Sequence, residues 1–285
     1  MGKHYLRFPR RVAAYCALTA ILVGCASLSQ QDSAAAQWRE APVAATQLDT
    51  CREIIAASHQ NPASELDSGS IRLLNWNMQK VQHASALDDL HALSSGSNLI
   101  LIQEATLRDD LLARAKFSSF APGYRSGTEQ TGVVTMSATA PLTRCHLTNL
   151  EPWLGTPKAT SITEYALTDT DATLVVVNIH ALNFTFGIKE FRAQIEQIPT
   201  VLENHAGPVI LSGDFNTWRQ KRLDIVSEIS EQLGMQPVEF EQDERTQAFG
   251  IALDHVYVRG LNKTAAVTPV VSTSDHNPML VRLSL

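Results

Sequence analysis

Short apolar runs recur along the chain from residue 70 onward, separated by stretches that predict helices. The runs, rich in β-branched residues, lie at residues 71–77, 99–103, 173–179, 208–211, 256–258 and 279–283. Helices are predicted over residues 85–93 and 189–204. Continuous apolar runs of this length are typical of strands that are covered on both faces. The pattern therefore predicts an α/β domain with buried sheets.

The N-terminus has a different pattern. Residues 1–11 hold four basic residues and no acid, and residues 12–24 are almost wholly apolar or small. This order is typical of a secretory signal, and the apolar run is short for a membrane-spanning helix. It ends in Leu22-Val23-Gly24-Cys25, which resembles the lipobox of bacterial lipoproteins. We expect residues 1–24 to be a signal peptide and Cys25 to carry a lipid anchor on the periplasmic side of a bacterial cell envelope. An uncleaved anchor and a buried core segment are the alternatives.

The segment between this signal and the first apolar run has weak patterning. Residues 26–37 are small and polar, as in a flexible tether, and a short helix is predicted around residues 48–58. We interpret residues 25–69 as the lipidated cysteine, a tether and an N-terminal extension. Residues 70–285 contain no repeats and are long enough for one large core, so they are predicted to form a single domain.

The net charge limits the kinds of partner that the protein could bind, and the cysteines raise the question of a disulfide. The net charge is −6, and removal of the four basic residues in 1–24 makes it −10. An acidic protein gains little from binding duplex nucleic acid, so such binding would need a local patch. Arg219, Lys221 and Arg222 are the candidate patch, either as a solvated helix turn or facing a phosphate. Cys51 and Cys145 either form a disulfide in an oxidising compartment or are two separate buried thiols.

Polar residues that can do chemistry stand at the ends of the predicted strands. The motifs are Asn75-Trp76-Asn77, Gln103-Glu104, Asn178-Ile179-His180-Ala181-Leu182-Asn183, Gly213-Asp214-Phe215-Asn216, Leu253-Asp254-His255 and Ser274-Asp275-His276-Asn277-Pro278. Each has a structural explanation: Asp214 and Asn216 suit an Asx turn, Glu104 a helix start, and His180 a core histidine. Their joint occurrence is harder to explain by turns and indicates an active site.

This ordered set resembles the endonuclease/exonuclease/phosphatase superfamily, over roughly residues 71–285. The superfamily includes DNase I-like nucleases, inositol polyphosphate phosphatases and bacterial sphingomyelinases. The resemblance implies a four-layer α/β sandwich, with two packed β-sheets flanked by helices. It also implies a Mg²⁺ or Mn²⁺ ion held by Glu104 and Asn77, with Asp275 as a further, often water-mediated ligand. Oxygen ligands of this kind suit such hard cations.

The resemblance further implies roles in phosphoester hydrolysis. Asp214 would orient or deprotonate the attacking water, and Asn216 would fix Asp214 and a phosphate oxygen. His276, polarised by Asp254, is the other candidate for the base or for stabilising transition-state charge. The sequence leaves the choice between Asp214 and His276 open. The remaining candidates contact the substrate: His180, Asn183 and Arg219.

Some positions depart from the superfamily pattern or carry less information. Asn98 stands where many members have Asp and is interpreted as structural, and Ser137-Ala138 replaces a common Ser-Arg pair. Lys158 either supplies a positive charge to the site or is a solvated loop lysine, and the second interpretation is favoured. The rings near the motifs could stack on a base, cover a sugar or touch lipid; they are Trp76, Trp153, Phe184, Phe186 and Trp218. Core or rim packing is favoured for Trp76 and Phe184.

Three functions remain open. The first is a Mg²⁺-dependent phosphodiesterase acting on nucleic acid or a small diester. The second is a phosphomonoesterase, or a phospholipase C-like or sphingomyelinase-like hydrolase of lipid or inositol headgroups; the short segment between residues 184 and 189 lacks a membrane-inserting hairpin, which counts modestly against a sphingomyelinase. The third is an inactive envelope lipoprotein that binds a ligand, which the complete motif set disfavours. A monomer is expected in each case.

Overall fold

Two β-sheets form the centre of the protein. The computed structural model describes residues 44–55, 57 and 62–285, so the predicted signal peptide, Cys25 and the tether lie outside the described residues. The first sheet has seven strands in the order β1 (Ala44–Ala45), β6 (Thr143–Leu150), β7 (Pro157–Ala166), β8 (Thr173–His180), β9 (Val209–Asp214), β13 (Asp254–Arg259) and β10 (Gln236–Pro237). The second has six, in the order β14 (Asn262–Val267), β15 (Met279–Ser284), β2 (Ile71–Asn77), β3 (Leu99–Thr106), β5 (Glu129–Ser137) and β4 (Phe117–Ser126).

Helices and a small hairpin complete the described chain. The α-helices are α1 (Leu48–Ile54), α2 (Ala86–Leu93), α3 (Asp109–Leu112), α4 (Lys189–Ile195), α5 (Gln197–Leu202) and α6 (Gln220–Gln232). A 3-10 turn spans Gln79–Val81, and β11 (Gln247–Ala248) pairs with β12 (Ile251–Ala252). Among the described residues, no helix is both long enough and apolar enough to span a membrane.

The sheets pack face to face, and alternate residues of each strand point to opposite layers. In β2, Leu73 packs between the sheets with Val176 of β8, whereas Leu74 packs in the outer core with Leu90 of α2. On the other outer face, Val177 of β8 packs in the same cluster as residues of α4, α5 and α6. This alternation follows from the two-residue period of a strand. The predicted four-layer sandwich is confirmed.

Several elements differ from the prediction. The longer strands β4, β5, β6, β7 and β14 were not predicted, because polar residues interrupt their apolar pattern; β7 buries Thr160, Ser161 and Thr163. The helix expected over residues 189–204 is two helices that meet at Glu196. Pro199 explains the break, since it has no N–H to donate to the carbonyl four residues earlier. The first helix ends at Ile54, not near residue 58.

The described part of the N-terminal extension packs on the domain. Cys51 of α1 and Cys145 of β6 form a disulfide, with their Cα atoms 5.7 Å apart, which resolves the question of their pairing. Strand β1 runs parallel to β6, and Leu66 bridges to Leu167. Cys51 and Ile55 lie in the outer core of the first sheet. The compact unit therefore begins well before residue 70.

Candidate active site

Three strand ends of the first sheet meet at one edge. Strands β8 and β9 are parallel, which sets His180 beside Asp214, and antiparallel β13 begins with Asp254 on the other side of Asp214. Gly213 permits this approach, because its φ is +149° and a Cβ there would collide with the carbonyl oxygen of Ile179. The motif residues are thus brought together by strand register.

The second sheet supplies the opposite wall. Asn77 ends β2 and Glu104 lies near the end of parallel β3. Below them, Gln103 donates hydrogen bonds to Asn75 at 2.9 Å and to Asn178 of the first sheet at 2.7 Å. This buried amide network joins the two sheets directly under the site. Amides of two motifs, Gln103 and Asn178, therefore have a structural role.

The carboxylate of Asp214 is buried and held on both oxygens. Its Oδ1 accepts the backbone N–H of Asn216 at 2.9 Å, and its Oδ2 accepts Nδ2 of Asn77 at 3.0 Å. Asn216 has a φ of +50° and donates its own Nδ2 to the carbonyl of Ala181 at 3.0 Å. Burial raises the pKa of Asp214 above its ordinary value, although His276 opposes the shift. The Asx turn therefore also fixes the orientation of the Asp214 carboxylate.

His276 and Asp254 form a close buried pair. Nδ1 of His276 lies 2.6 Å from Oδ2 of Asp254, while Oδ1 of Asp254 is buried without a hydrogen-bond partner in the described part of the chain. Trp76 fixes the loop by donating Nε1 to the carbonyl of His276 at 2.8 Å. Burial alone would lower the pKa of His276, but the Asp254 carboxylate, assisted by Asp214, raises it to about 10. In this arrangement His276 carries a positive charge next to Asp214.

Glu104 brings a further carboxylate to the site. It lies at an irregularity of β3 with a φ of +48°, and its side chain is 23% exposed. Its oxygens are 4.0 Å from Nζ of Lys80 and 3.7 Å from Nε2 of His180. Burial raises the pKa of Glu104; Lys158 and Lys80 lower it, and Asp214 and Asp275 raise it further. The site thus concentrates carboxylates around one point.

Lys158 is the main correction to the sequence interpretation. It is not a solvated loop residue: it lies half-buried on β7, and its Nζ is 2.7 Å from Nε2 of His180. An ammonium can only donate, so Nε2 accepts and the imidazole proton is on Nδ1. Burial, followed by the charge of Lys158, lowers the pKa of His180 well below its ordinary value. His180 is therefore neutral. Its Nε2, which was expected to donate a hydrogen bond to a phosphate, instead accepts one from Lys158.

The donor set fits a hard divalent cation. Glu104, Asp275 and Oδ1 of Asn77 offer oxygen ligands; that Oδ1 also accepts the N–H of Gln79 at 3.1 Å. Asp275 is exposed and close enough to raise the pKa of Glu104. A second cluster adjoins them: atoms of Asp214, Asp254 and His276 that could bind an ion lie within 4.8 Å of one another, but with His276 protonated only the two carboxylates can act as ligands. The unpartnered Oδ1 of Asp254 is an additional buried acceptor in this second cluster.

The predicted basic patch divides in the structure. Arg222 is fully buried and donates to the carbonyls of Leu182, Asn183 and Asn216 and to the hydroxyl of Thr185. It is therefore neither a solvated nor a phosphate-facing residue. Lys221 is exposed, and the guanidinium of Arg219 lies 4.0 Å from the ring centroid of Trp218. A substrate role for Arg219 remains a prediction.

Asn183 lines a pocket of about 250 Å³ together with Glu104, Lys158 and His180. Its Oδ1 accepts Nε1 of Trp218 at 3.0 Å, so the amide is oriented and its Nδ2 remains for a ligand. The backbone N–H of Asn183 donates to Oε1 of buried Glu151 at 3.0 Å. This geometry is compatible with the predicted contact between Asn183 and a phosphate oxygen.

Three residues of the site were missed or misinterpreted from sequence: Glu151, Lys158 and Arg222. A lone Glu in a loop, a Lys in a mixed strand and an Arg in a helix turn give no local signal of burial. Asn98 behaves as expected, because its side chain accepts the N–H of Arg72 and donates to the carbonyl of Ser70, both at 2.7 Å. Trp76 is buried in the core, whereas Phe184 is 56% exposed, so of the two expected environments, core and rim, only the rim fits Phe184.

Relatives with similar sequences are known. The chain is 40% identical over 228 residues to a UPF0294 protein of Vibrio vulnificus (strain CMCP6), covering 78% of this chain and 80% of that protein. It is 39% identical over 242 residues to a UPF0294 protein of Vibrio cholerae serotype O1, covering 80% and 83%.

Solved structures show the same fold. An endonuclease/exonuclease/phosphatase from Beutenbergia cavernae aligns with a TM-score of 0.60 and 15% identity over 76% of this chain and 72% of that chain. The human Nocturnin catalytic domain aligns with a TM-score of 0.59 and 15% identity, covering 78% of this chain and 96% of that chain. A mannosyl-6-phosphatase from Bacteroides thetaiotaomicron aligns with a TM-score of 0.57 and 13% identity, covering 75% of this chain and 100% of that chain.

The sequence also matches the model of a protein family, the endonuclease/exonuclease/phosphatase family. The match covers residues 74–276, from β2 to the His276 loop, and so includes both walls of the site. The chain belongs to the endonuclease/exonuclease/phosphatase family.

Proposed function

We propose that this protein is a divalent-metal-dependent phosphodiesterase that hydrolyses its substrate by in-line attack of water. The observation that carries the proposal is the environment of Asp214. Both of its oxygens are held by hydrogen bonds from Asn77 and Asn216, and the cationic Lys158 and the further carboxylate Glu104 lie around the same point. A fixed carboxylate next to a phosphate-sized pocket suits the activation of water.

The metal would be Mg²⁺ or Mn²⁺, held by Glu104, Asn77 and Asp275. When bound, the ion supplies positive charge that stabilises the extra negative charge on the phosphate. The pairing of Asn77 with Asp214 links this metal site to the residue that handles the water. Loss of Asn77 would therefore affect both metal affinity and the orientation of Asp214, whereas loss of Glu104 or Asp275 would affect metal affinity.

The protein's own groups would perform the remaining tasks. Asp214 accepts a proton from water as the water oxygen bonds to phosphorus and the bond from phosphorus to the leaving oxygen breaks. That leaving oxygen departs with the electron pair of the broken bond and takes up a proton from solvent water. Lys158 and Asn183 donate hydrogen bonds to the non-bridging oxygens, with neutral His180 orienting Lys158. His276, held by Asp254, faces the developing charge.

We also propose a cellular location, the periplasmic side of a bacterial envelope, with the enzyme tethered by a lipid on Cys25. The support is the order of basic residues, apolar run and lipobox-like Leu22-Val23-Gly24-Cys25 in the sequence. The disulfide between Cys51 and Cys145 agrees with an oxidising compartment.

The proposal is tested by steady-state hydrolysis of bis-p-nitrophenyl phosphate and p-nitrophenyl phosphate with the purified protein. We expect the diester to be the better substrate, with activity lost in EDTA and restored by Mg²⁺ or Mn²⁺. Glu104→Gln should raise the Mg²⁺ concentration required, and should weaken the rise in melting temperature that Mg²⁺ gives the wild type. Activity that is unchanged in EDTA would overturn the metal dependence. Preference for the monoester would favour a phosphatase, and inactivity on both would favour a binding lipoprotein.

A further inference from the structure

An exposed apolar trough adjoins the catalytic pocket. It has a volume of about 510 Å³ and is lined by Trp153, Leu154, Phe184, Thr185, Phe186 and Trp218. Its outer residues are unusually exposed for large apolar side chains: Phe186 is 70% exposed, Leu154 60% and Trp153 58%. Contiguous apolar surface of this kind marks a binding site more often than isolated exposed residues do. We call this feature the aromatic trough.

The aromatic trough is continuous with the catalytic pocket. Leu154 and Phe184 line both, and the pocket also contains Glu104 and Lys158. A molecule with its phosphate in the pocket would therefore have an adjoining part in the trough. The occupant of the trough is thus part of the substrate or of the surface that carries it.

The loop that forms one wall of the trough is firmly held. Oε1 of buried Glu151 accepts the backbone N–H of Phe184 at 3.3 Å, and the buried guanidinium of Arg222 donates to Oγ1 of Thr185 at 2.9 Å. Across the trough, the rings of Trp153 and Phe186 are in contact. The apolar surface is therefore preformed, which reduces the entropy lost when a ligand binds.

The polar atoms of the trough are nearly all engaged within the protein. Nε1 of Trp218 donates to Asn183, and Oγ1 of Thr185 donates to the carbonyl of Gly187. Among the side chains that line the trough in the described part of the chain, only the indole N–H of Trp153 lacks a hydrogen bond. A nucleobase or sugar bound here would leave several polar groups without partners, whereas a hydrocarbon chain would leave none. The net charge of −6 also disfavours a polyanion.

We propose that the aromatic trough takes the hydrocarbon part of a lipid phosphodiester, so that the substrate class is phospholipid. Exposed Trp and Phe side chains are well suited to the boundary between headgroups and acyl chains. The inference rests on the proposed phosphodiesterase function, and it narrows the substrate of the same site. A lipid anchor at Cys25 would hold the enzyme near such substrates.

The test compares acylated and deacylated versions of one diester. The probes are dihexanoyl phosphatidylcholine, phosphatidylethanolamine and phosphatidylglycerol below their micellar concentrations, each beside its glycerophosphodiester. Bis-p-nitrophenyl phosphate and a single-stranded oligodeoxynucleotide are included. We expect kcat/KM to be at least tenfold higher for one or more acylated probes than for the deacylated partner. Trp153→Ser/Phe186→Ser should reduce that ratio at least fivefold.

The matched control is Val267→Ser/Val270→Ser, which removes two exposed apolar side chains that do not line the trough. Its ratio should equal that of the wild type, and melting temperatures should show that both double variants fold. An acylated-to-deacylated ratio near one, or a ratio insensitive to the trough substitutions, overturns the lipid assignment. Preferred cleavage of the oligodeoxynucleotide, lost in the trough variant, would assign the trough to bases. If bis-p-nitrophenyl phosphate alone is cleaved, the lipid inference fails and the phosphodiesterase proposal stands; if nothing is cleaved, both fail.

Discussion

Nζ of Lys158 lies 2.7 Å from Nε2 of His180, at the floor of the pocket that Glu104 also lines. Strand β7 thus delivers a positive charge to a site otherwise dominated by carboxylates. Such a charge is suited to a phosphate oxygen, because it acts in a partly desolvated pocket. The pair also ties the state of the imidazole to the lysine, since a neutral His180 is needed to accept from the ammonium.

Lys158→Gln is expected to lower kcat/KM for bis-p-nitrophenyl phosphate by about 10²-fold, because a cation facing the transition-state charge is removed. Steady-state kinetics at saturating Mg²⁺ measure the effect. Lys221→Gln, at an exposed lysine on α6, is the control and should behave as the wild type. Equal activity of the two variants would remove Lys158 from the mechanism.

Arg222→Met is expected to destabilise the protein by about 3 kcal/mol and to lower kcat. The substitution leaves the buried carbonyls of Leu182, Asn183 and Asn216 without their donor. These carbonyls belong to the two loops that carry Asn183 and Asp214. Urea unfolding gives the stability change, and steady-state kinetics give kcat. Arg222→Lys should recover part of both losses, and a fully stable, fully active Arg222→Met protein would show that the guanidinium does not position the loops.

The part of the free energy of unfolding that depends on His205 should fall as the pH is lowered through the ordinary histidine range near 6.5. Burial lowers the pKa of His205, although its hydrogen bond to Pro208 opposes the shift. Above pH 6.5 His205 is neutral in both states and has little effect on stability. Below pH 6.5 the unfolded chain takes up the proton first, so stability falls until the pH reaches the lower folded-state pKa.

The test is urea unfolding between pH 8 and pH 5 with His205→Gln as the matched variant. Nε2 of His205 lies 3.0 Å from the carbonyl of Pro208 and must donate to it, a bond that a glutamine amide can replace without titrating. The variant should show a flatter pH dependence than the wild type. Parallel curves would mean that His205 does not contribute to acid sensitivity.

Replacing both Cys51 and Cys145 by Ala is expected to lower the free energy of unfolding by about 2–5 kcal/mol. The disulfide closes a loop between residues 94 positions apart and joins α1 to β6. Its removal increases the conformational freedom of the unfolded chain. Dithiothreitol should destabilise the wild type and leave the double variant unchanged. A wild type insensitive to dithiothreitol, and equal in stability to the variant, would contradict this role.

The hydrophobic pattern predicted the strands that are apolar on both faces. Strands β2, β3, β8 and β9 are of this kind, and their ends carry the motif residues, so most of the site could be located from their order. Strand β7 could not, because Thr160, Ser161 and Thr163 are buried in it. Hydrophobic patterning does not distinguish such residues from a loop.

The same limit applies to charged residues. Lys158 was misplaced together with its strand, because its role depends on the pairing of β7 with β8, which no local pattern encodes. Arg222 is buried by four acceptors from two loops and by the rings of Trp218 and Phe191. These contacts arise from tertiary packing. From the sequence alone, an arginine in the first turn of a helix is expected to be exposed. The aromatic trough likewise exists because residues near 153 and 185 meet in the fold.

In the proposed function, metal-dependent hydrolysis of a phosphodiester depends on Asp214. The most direct test is the initial rate of bis-p-nitrophenyl phosphate hydrolysis in saturating Mg²⁺, for the wild type and for Asp214→Asn. The amide keeps the size of the side chain but cannot accept a proton. We expect the rate to fall by about 10²–10⁴-fold in the variant, with the melting temperature showing a folded protein. A folded Asp214→Asn protein with wild-type rate would contradict the account.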